Sequence, residues 1–383
     1  MHLADLLERR PVPAAAIFVT LTRRCPLHCQ HCSTLSGQTS QQQPAASLRR
    51  FVSSFSTTDH PEFLLLTGGE PLLRPGLVRT LAETARAAGT RSYVLTGAYF
   101  ASGGRTPGTI RAALESVDHV AISIDVFHEA EVPRPQVFRV LHELLDAGID
   151  ASVQACGTRH GDPYLVTLAE QIRQEFDDRV PMLATVVSPV GRARSWLVPA
   201  AAGGSGQFSA DGARDSASAN AERTVRALPC DMASWPVVGF DGTIAACCNT
   251  DVLESRPVPE HLRLGHIATT SWPEVHHACV SSPVLRGLRT EGPLRLAARF
   301  AEPGPPGGSG YCQTCRALAD RPGTLSRVEA EAVRPIAAFI EQQAIALQLR
   351  AGPASFARRH GDPALAGLVL LGWPAHGAAA CAR

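Results

Sequence analysis

Lysine is absent from this 383-residue chain, whose 36 Lys-plus-Arg positions are all arginine. No Schiff-base amine and no phosphate-loop ammonium is available, so pyridoxal-phosphate enzymes and P-loop NTPases are excluded. An excess of charge is missing too. The net charge of +1 gives no electrostatic basis for binding nucleic acid or an anionic membrane. Long apolar runs are lacking: "GLVLLGWPA" (367–375) is too short to span a bilayer and is broken by proline. The amino-terminal "MHLADLLERRPVPAAAIFVTLTRRC" lacks the basic-then-apolar order of a signal peptide. A cytoplasmic protein is therefore expected, partnered with neither membrane nor nucleic acid. In that compartment 11 cysteines read as metal-binding or catalytic rather than disulfide-forming.

What is present first is a rhythm. β-rich segments at 16–21, 62–67, 92–97, 119–125, 150–156 and 181–191 alternate with apolar patterns of helical spacing at 47–55, 76–89, 109–117, 135–148 and 164–176. Such alternation predicts an α/β fold with a parallel sheet, and six units rather than eight predict an open or partial (β/α)6 TIM-like barrel. After Arg194 the composition turns small and polar, as in "AAGGSGQFSADGARDSASANAE", which reads as a linker. A small cysteine-bearing segment with short strands follows, and then a helical tail running through "TLSRVEAEAVRPIAAFIEQQAIALQLRAG" on the exterior. The expected boundaries are an extension at 1–13, the barrel at 14–195, the linker at 196–228, the cysteine-rich domain at 229–320 and the helical region at 321–383.

Active sites of β/α folds gather at the carboxyl ends of the strands, and the chemistry-bearing residues fall there. Cys25, Cys29 and Cys32 follow the first strand, Gly68-Gly69-Glu70 the second, and Ser123 and Asp125 end the fourth; Arg192 follows the sixth. Three thiolates this close suit zinc or an iron–sulfur cluster. Structural zinc wants a closed set of four ligands, and His28 or His31 are the candidates for the fourth. A 4Fe–4S cube on three cysteines leaves one iron open to an outside ligand. Glycines let main chain approach a ligand closely, and a carboxylate such as Glu70 accepts hydrogen bonds from an ammonium.

"CPLHCQHC" after the first strand and "TGGEP" after the second resemble the radical S-adenosylmethionine (SAM) superfamily over residues 14–195. The resemblance implies that Cys25, Cys29 and Cys32 hold a 4Fe–4S cluster whose open iron is chelated by SAM. It also places Gly68, Gly69 and Glu70 along the methionine amino group, and Ser123 and Asp125 near the ribose or carboxylate of SAM. Arg192, in "SPVGRA", is implied to meet SAM or substrate. His128 and Glu129 are candidate acid/base residues against a plain solvated helix start. "LTGAYF" departs from the family at the end of strand three, where many relatives carry Thr-Asn-Gly.

Gly242-x4-Cys247 and Cys312-x2-Cys315 resemble the auxiliary-cluster domain called twitch, a shortened SPASM domain. The resemblance implies one auxiliary 4Fe–4S cluster on Cys230, Cys247, Cys312 and Cys315. A zinc ribbon is the alternative, and Cys248 or Cys279 is able to replace a ligand. Cys156 reads as a small buried hydrophobe and Cys381 as incidental. His266, in "LGHI", has no independent claim to be a ligand.

As a family member the chain is expected to cleave SAM reductively to a 5′-deoxyadenosyl radical that removes hydrogen from substrate, with Asp125 and His128 as catalytic candidates. A flavodoxin- or ferredoxin-type reductant is the implied partner. The substrate is a natural-product intermediate, either a small metabolite or a ribosomal peptide, and a peptide would need a separate recognition partner. The alternative is a non-catalytic iron–sulfur or zinc protein that senses or transfers electrons.

Overall fold

The structure is a computed structural model and describes residues 1–197, 228–300 and 310–374. The expected linker thus lies almost wholly outside the described residues, as does Cys381. Six strands form where the sequence predicts them: β1 (Ala16–Thr20), β2 (Phe63–Thr67), β3 (Arg91–Thr96), β4 (His119–Ser123), β5 (Ala151–Gly157) and β6 (Met182–Val186). They pair in parallel, each with the next in chain order, from Ala16 opposite Phe63 to Gly157 opposite Val186. Their near-continuous apolar runs follow from burial on both faces, since helices cover a parallel sheet. In α3 (Pro75–Ala87) the buried residues are Leu77, Val78, Leu81, Ala82 and Ala85, one stripe at helical spacing turned to the sheet.

The cysteine-bearing segment adds to the same sheet. β7 (Val237–Val238) runs parallel to β1, and β8 (Thr243–Ala245) and β9 (Arg263–His266) continue it antiparallel. The sheet is open, with β6 at one edge.

The helical tail differs from the sequence expectation in two ways. The single run breaks into helices Thr324–Ala332, Pro335–Ala351 and Pro353–His360, because a proline ring clashes with the preceding turn and lacks the N–H that would continue it. Nor is the tail merely exterior. The Asp362 amide donates to the Ala184 carbonyl of β6 at 3.0 Å, and its carboxylate accepts from the Gly161 amide at 2.7 Å. The tail so covers part of an edge that would otherwise present unpaired backbone groups. Glu341, the buried residue of helix Pro335–Ala351, pairs with Arg286 at 3.0 Å and Arg289 at 2.6 Å and ties that helix to the cysteine-bearing segment. Among the described residues no helix is long and apolar enough to cross a membrane.

Candidate metal centre at the mouth of the barrel

The loop carrying Cys25, Cys29 and Cys32 leaves β1 at the carboxyl end of the sheet and is fastened from the ends of two other strands. After β2, the Gly69 amide donates to Thr22 at 2.7 Å and the Glu70 amide to Arg24 at 2.8 Å. A Cβ on Gly69 would stand 2.4 Å from the Arg24 carbonyl. The approach that demands glycine here is to the cysteine loop itself, rather than the ligand approach read from sequence. After β6, the Arg192 amide donates to Cys32 at 3.0 Å, and its guanidinium donates to the carbonyls of Cys29 and Ser36. Gly191, at φ 56°, passes so close that a Cβ would lie 2.2 Å from the Cys32 carbonyl. Arg192 is therefore a clamp on the cysteine loop, where the sequence reading turned it toward SAM or substrate.

Glu70 is fully buried. Its carboxylate accepts from the Leu72 amide at 2.9 Å, the Gly97 amide at 2.9 Å and the Thr96 hydroxyl at 2.9 and 3.0 Å. Burial still pushes it up to about 7, against those hydrogen bonds. Both oxygens face the protein, so the carboxylate's structural work is to join the turn after β2 to the end of β3. Thr96 as its partner was not singled out in the sequence, although the strand-three motif contains it.

Asp125 caps α5 (Val126–Glu129) and is 1% exposed. One oxygen accepts from the amides of Phe127 and His128, both at 3.0 Å, and from His128 Nδ1 at 2.9 Å. The other lies 3.4 Å from His31 Nε2 and 3.3 Å from the Cys156 amide. His128 is 14% exposed rather than part of a solvated helix start. Burial alone would lower it, but the Asp125 carboxylate, helped by Cys29, raises it to about 10. His31 has no such gain: burial holds it down at about 4 despite Asp125. Its ring stacks on Phe127 at 4.6 Å, and Phe127 meets Trp196 at 5.5 Å. Ser123 sits half-buried at the end of β4, and Glu129 pairs with Arg134. His28 lies outside this group, 63% exposed and 3.9 Å from Glu131.

Cys156 is less incidental than its sequence context indicates. It is the penultimate residue of β5, beside His31 and Asp125, whose ligand atoms and its own sulfur lie within 4.8 Å of one another. Burial pushes its thiol up to about 12.

The second cysteine set converges as well. Cys230 is pushed up to about 11 by burial and by the charge of Cys312. Cys247 and Cys315 are raised by burial and feel Cys230, and Cys312 is raised by burial. Cys248 adjoins this group through Cys247 and Cys312. Cys279 is fully buried and turns its thiol toward the Ser234 carbonyl at 3.5 Å, away from the set. His266 bonds the Asp241 carbonyl at 2.9 Å. His261, which has no sequence signal, approaches Cys315 at 4.0 Å.

The donor chemistry fits iron–sulfur centres at both places. Tetrahedral zinc at its usual bond length holds thiolates about 3.8 Å apart. Among the described residues, three ligand atoms within 4.8 Å of one another are found on His31, Asp125 and Cys156, not within either cysteine set. A donor set made of cysteine thiols alone suits an iron–sulfur cluster. At the first site His31 faces Asp125 and His28 faces Glu131, so neither closes a three-thiol set. Cys25, held up at about 12 chiefly by burial, would have to lose its proton on metal binding; Cys32 is already below the usual thiol value because hydrogen bonds from Thr34 and Ser36 and the charge of Arg192 outweigh burial.

A 118-residue stretch is 36% identical to pre-heme d1 synthase of Dinoroseobacter shibae, covering 30% of this chain and 28% of that protein. The chain thus matches little more than a quarter of the relative's length. Among solved structures, Streptococcus suis SuiB bound to S-adenosylmethionine aligns with TM-score 0.49 and 12% identity over 84% of this chain and 78% of that one. The anSMEcpe structure with bound AdoMet and Cp18Cys peptide aligns with TM-score 0.47 and 12% identity over 88% and 99%. The family model that matches is that of the radical SAM superfamily, over residues 19–167, a stretch that spans the cysteine loop, the Gly-Gly-Glu turn and the Asp125 cluster.

Proposed function

We propose that the chain is a radical SAM enzyme, reductively cleaving SAM to methionine and 5′-deoxyadenosine while a hydrogen atom is removed from a C–H bond of substrate. The observation that carries this reading is the set of three cysteines, with no fourth ligand among the described residues, on a loop clamped across the carboxyl ends of a parallel barrel. Cys25, Cys29 and Cys32 would hold a 4Fe–4S cluster, which when bound would supply the electron that cleaves the sulfonium of SAM.

The chain's own residues hold and shield the reactants. Cys25, Cys29 and Cys32 are the cluster ligands. Gly69 and Arg192 fix the loop between them, and Glu70 joins the SAM-side turn to β3. Ser123, Asp125 and the His31–Phe127–Trp196 stack line the mouth where SAM and substrate meet. His128, held cationic by Asp125 near Cys29, offsets negative charge at the centre. Cys230, Cys247, Cys312 and Cys315 hold a second cluster able to take the electron left on the substrate, which gives net oxidation or a new cross-link. The substrate class is a natural-product intermediate, small metabolite or peptide.

The test is anaerobic reconstitution followed by SAM and a chemical reductant. Formation of 5′-deoxyadenosine is expected, and its absence from iron-loaded protein would leave the sensor or electron-transfer reading.

A further inference from the structure

Arg10, in the turn between α1 (Leu3–Glu8) and β1, is 3% exposed. A guanidinium stays charged at any pH the fold survives, and burying it without a counter-charge is costly. Among the described residues no carboxylate stands within ion-pair distance of it. Its plane lies over Trp235 at 4.5 Å and Phe356 at 5.6 Å. Nη2 is directed at two sulfurs, Met232 Sδ at 3.0 Å and Cys248 Sγ at 3.8 Å. Nη1 is buried without a partner. The other charged groups lining the same cavity of about 20 Å³ are Glu8, Asp231 and Arg359. One Asp231 oxygen is taken by Arg359 at 2.6 Å and His360 at 2.9 Å, and the second is buried without a partner.

We propose that the missing counter-charge is the auxiliary centre: Arg10 is a positioning residue whose cation neutralises the second iron–sulfur cluster and raises its reduction potential. The proposal rests on the reading of Cys230, Cys247, Cys312 and Cys315 as a cluster site. Cys248 is the link, since Arg10 reaches it directly and Cys247 and Cys312 both feel its charge. Cluster potentials respond to net charge and to hydrogen bonds at sulfur. A fixed cation beside an anionic centre favours the more negative, reduced form. The arrangement brings residue 10 against residues 232 and 248, so a segment preceding the barrel tunes a centre built after it.

The test uses protein with Cys25, Cys29 and Cys32 changed to alanine, which isolates the auxiliary centre, and a potentiometric titration followed by electron paramagnetic resonance. Arg10→Gln is expected to lower the midpoint potential at unchanged iron content, while Arg10→Lys stays close to the parent. A parent-like midpoint in iron-replete Arg10→Gln overturns the proposal and assigns the charge of Arg10 to Asp231 through the shared cavity. Where Arg10→Gln does not fold, Arg10→His serves. Its midpoint should fall more steeply than the parent's between about pH 5.5 and 8.5, where an imidazole titrates, and equal pH dependence in the two overturns the proposal. A parent holding no iron after loss of the three cysteines overturns the cluster reading beneath the proposal, and the proposal with it.

Discussion

Asp125 divides its two oxygens between two histidines: His128 Nδ1 lies 2.9 Å from one and His31 Nε2 3.4 Å from the other. The nearer ring takes the proton. Two buried imidazolium ions 5.0 Å apart between ring centroids would repel each other, so one histidine is held up and the other down. The mouth of the barrel carries one buried ion pair and one neutral imidazole.

His128 is raised to about 10, so its stabilisation is complete below its unfolded value of about 6.5 and is lost as pH rises through 10. Asp125 is lowered, chiefly against burial and through His128, so its stabilisation is present above about pH 4 and is lost on acidification. Asp125→Asn is expected to cost about 3–5 kcal/mol near neutrality, because it strands a buried imidazolium. Thermal melts should show the gap from wild type narrowing above pH 10; a gap constant across that range would contradict the pairing.

Ala98 follows β3 in the left-handed region, at φ 53° and ψ 34°, where a side chain costs about 1–2 kcal/mol relative to glycine. Ala98→Gly should therefore stabilise by about 1 kcal/mol. At the preceding Gly97, where many relatives carry asparagine, a Cβ would meet the Cδ1 end of the Leu27 side chain at 2.7 Å, so Leu27 would have to shift. Gly97→Asn should destabilise, and denaturant titrations of both variants check the pair of signs.

Arg192→Met is expected to leave the fold intact and empty the first site. Its guanidinium holds the carbonyls of Cys29 and Ser36, so its loss frees the loop between two ligands. Iron per chain should fall from about eight to about four, with unchanged far-ultraviolet circular dichroism. Full iron occupancy in a folded Arg192→Met protein would show that the clamp is dispensable.

Much of this was legible beforehand for a physical reason. Cys25, Cys29 and Cys32 are close in sequence, and any chain that places them after a strand of a parallel barrel delivers them to its carboxyl end. The six strands were legible because burial on both faces writes a continuous apolar run. Side-chain destinations were not. Arg192 sits at a strand end whether it points to a ligand or back onto the loop, and only the convergence of β1 and β6 decides. His31 looks like a loop residue until Asp125 arrives from β4. Arg10 carries no motif, because its partners lie more than two hundred positions away. The tail's division was readable in Pro335 and Pro353, two signals that helical periodicity hides.

The measurement that bears most directly on the central claim is 5′-deoxyadenosine formation from SAM, under anaerobic reducing conditions, by three proteins compared side by side. Wild type is expected to form it. The Cys25→Ala, Cys29→Ala, Cys32→Ala protein should form none while keeping its auxiliary iron. The Cys312→Ala, Cys315→Ala protein should retain part of the activity. Formation by the first-site variant, or none by iron-replete wild type, would contradict the account.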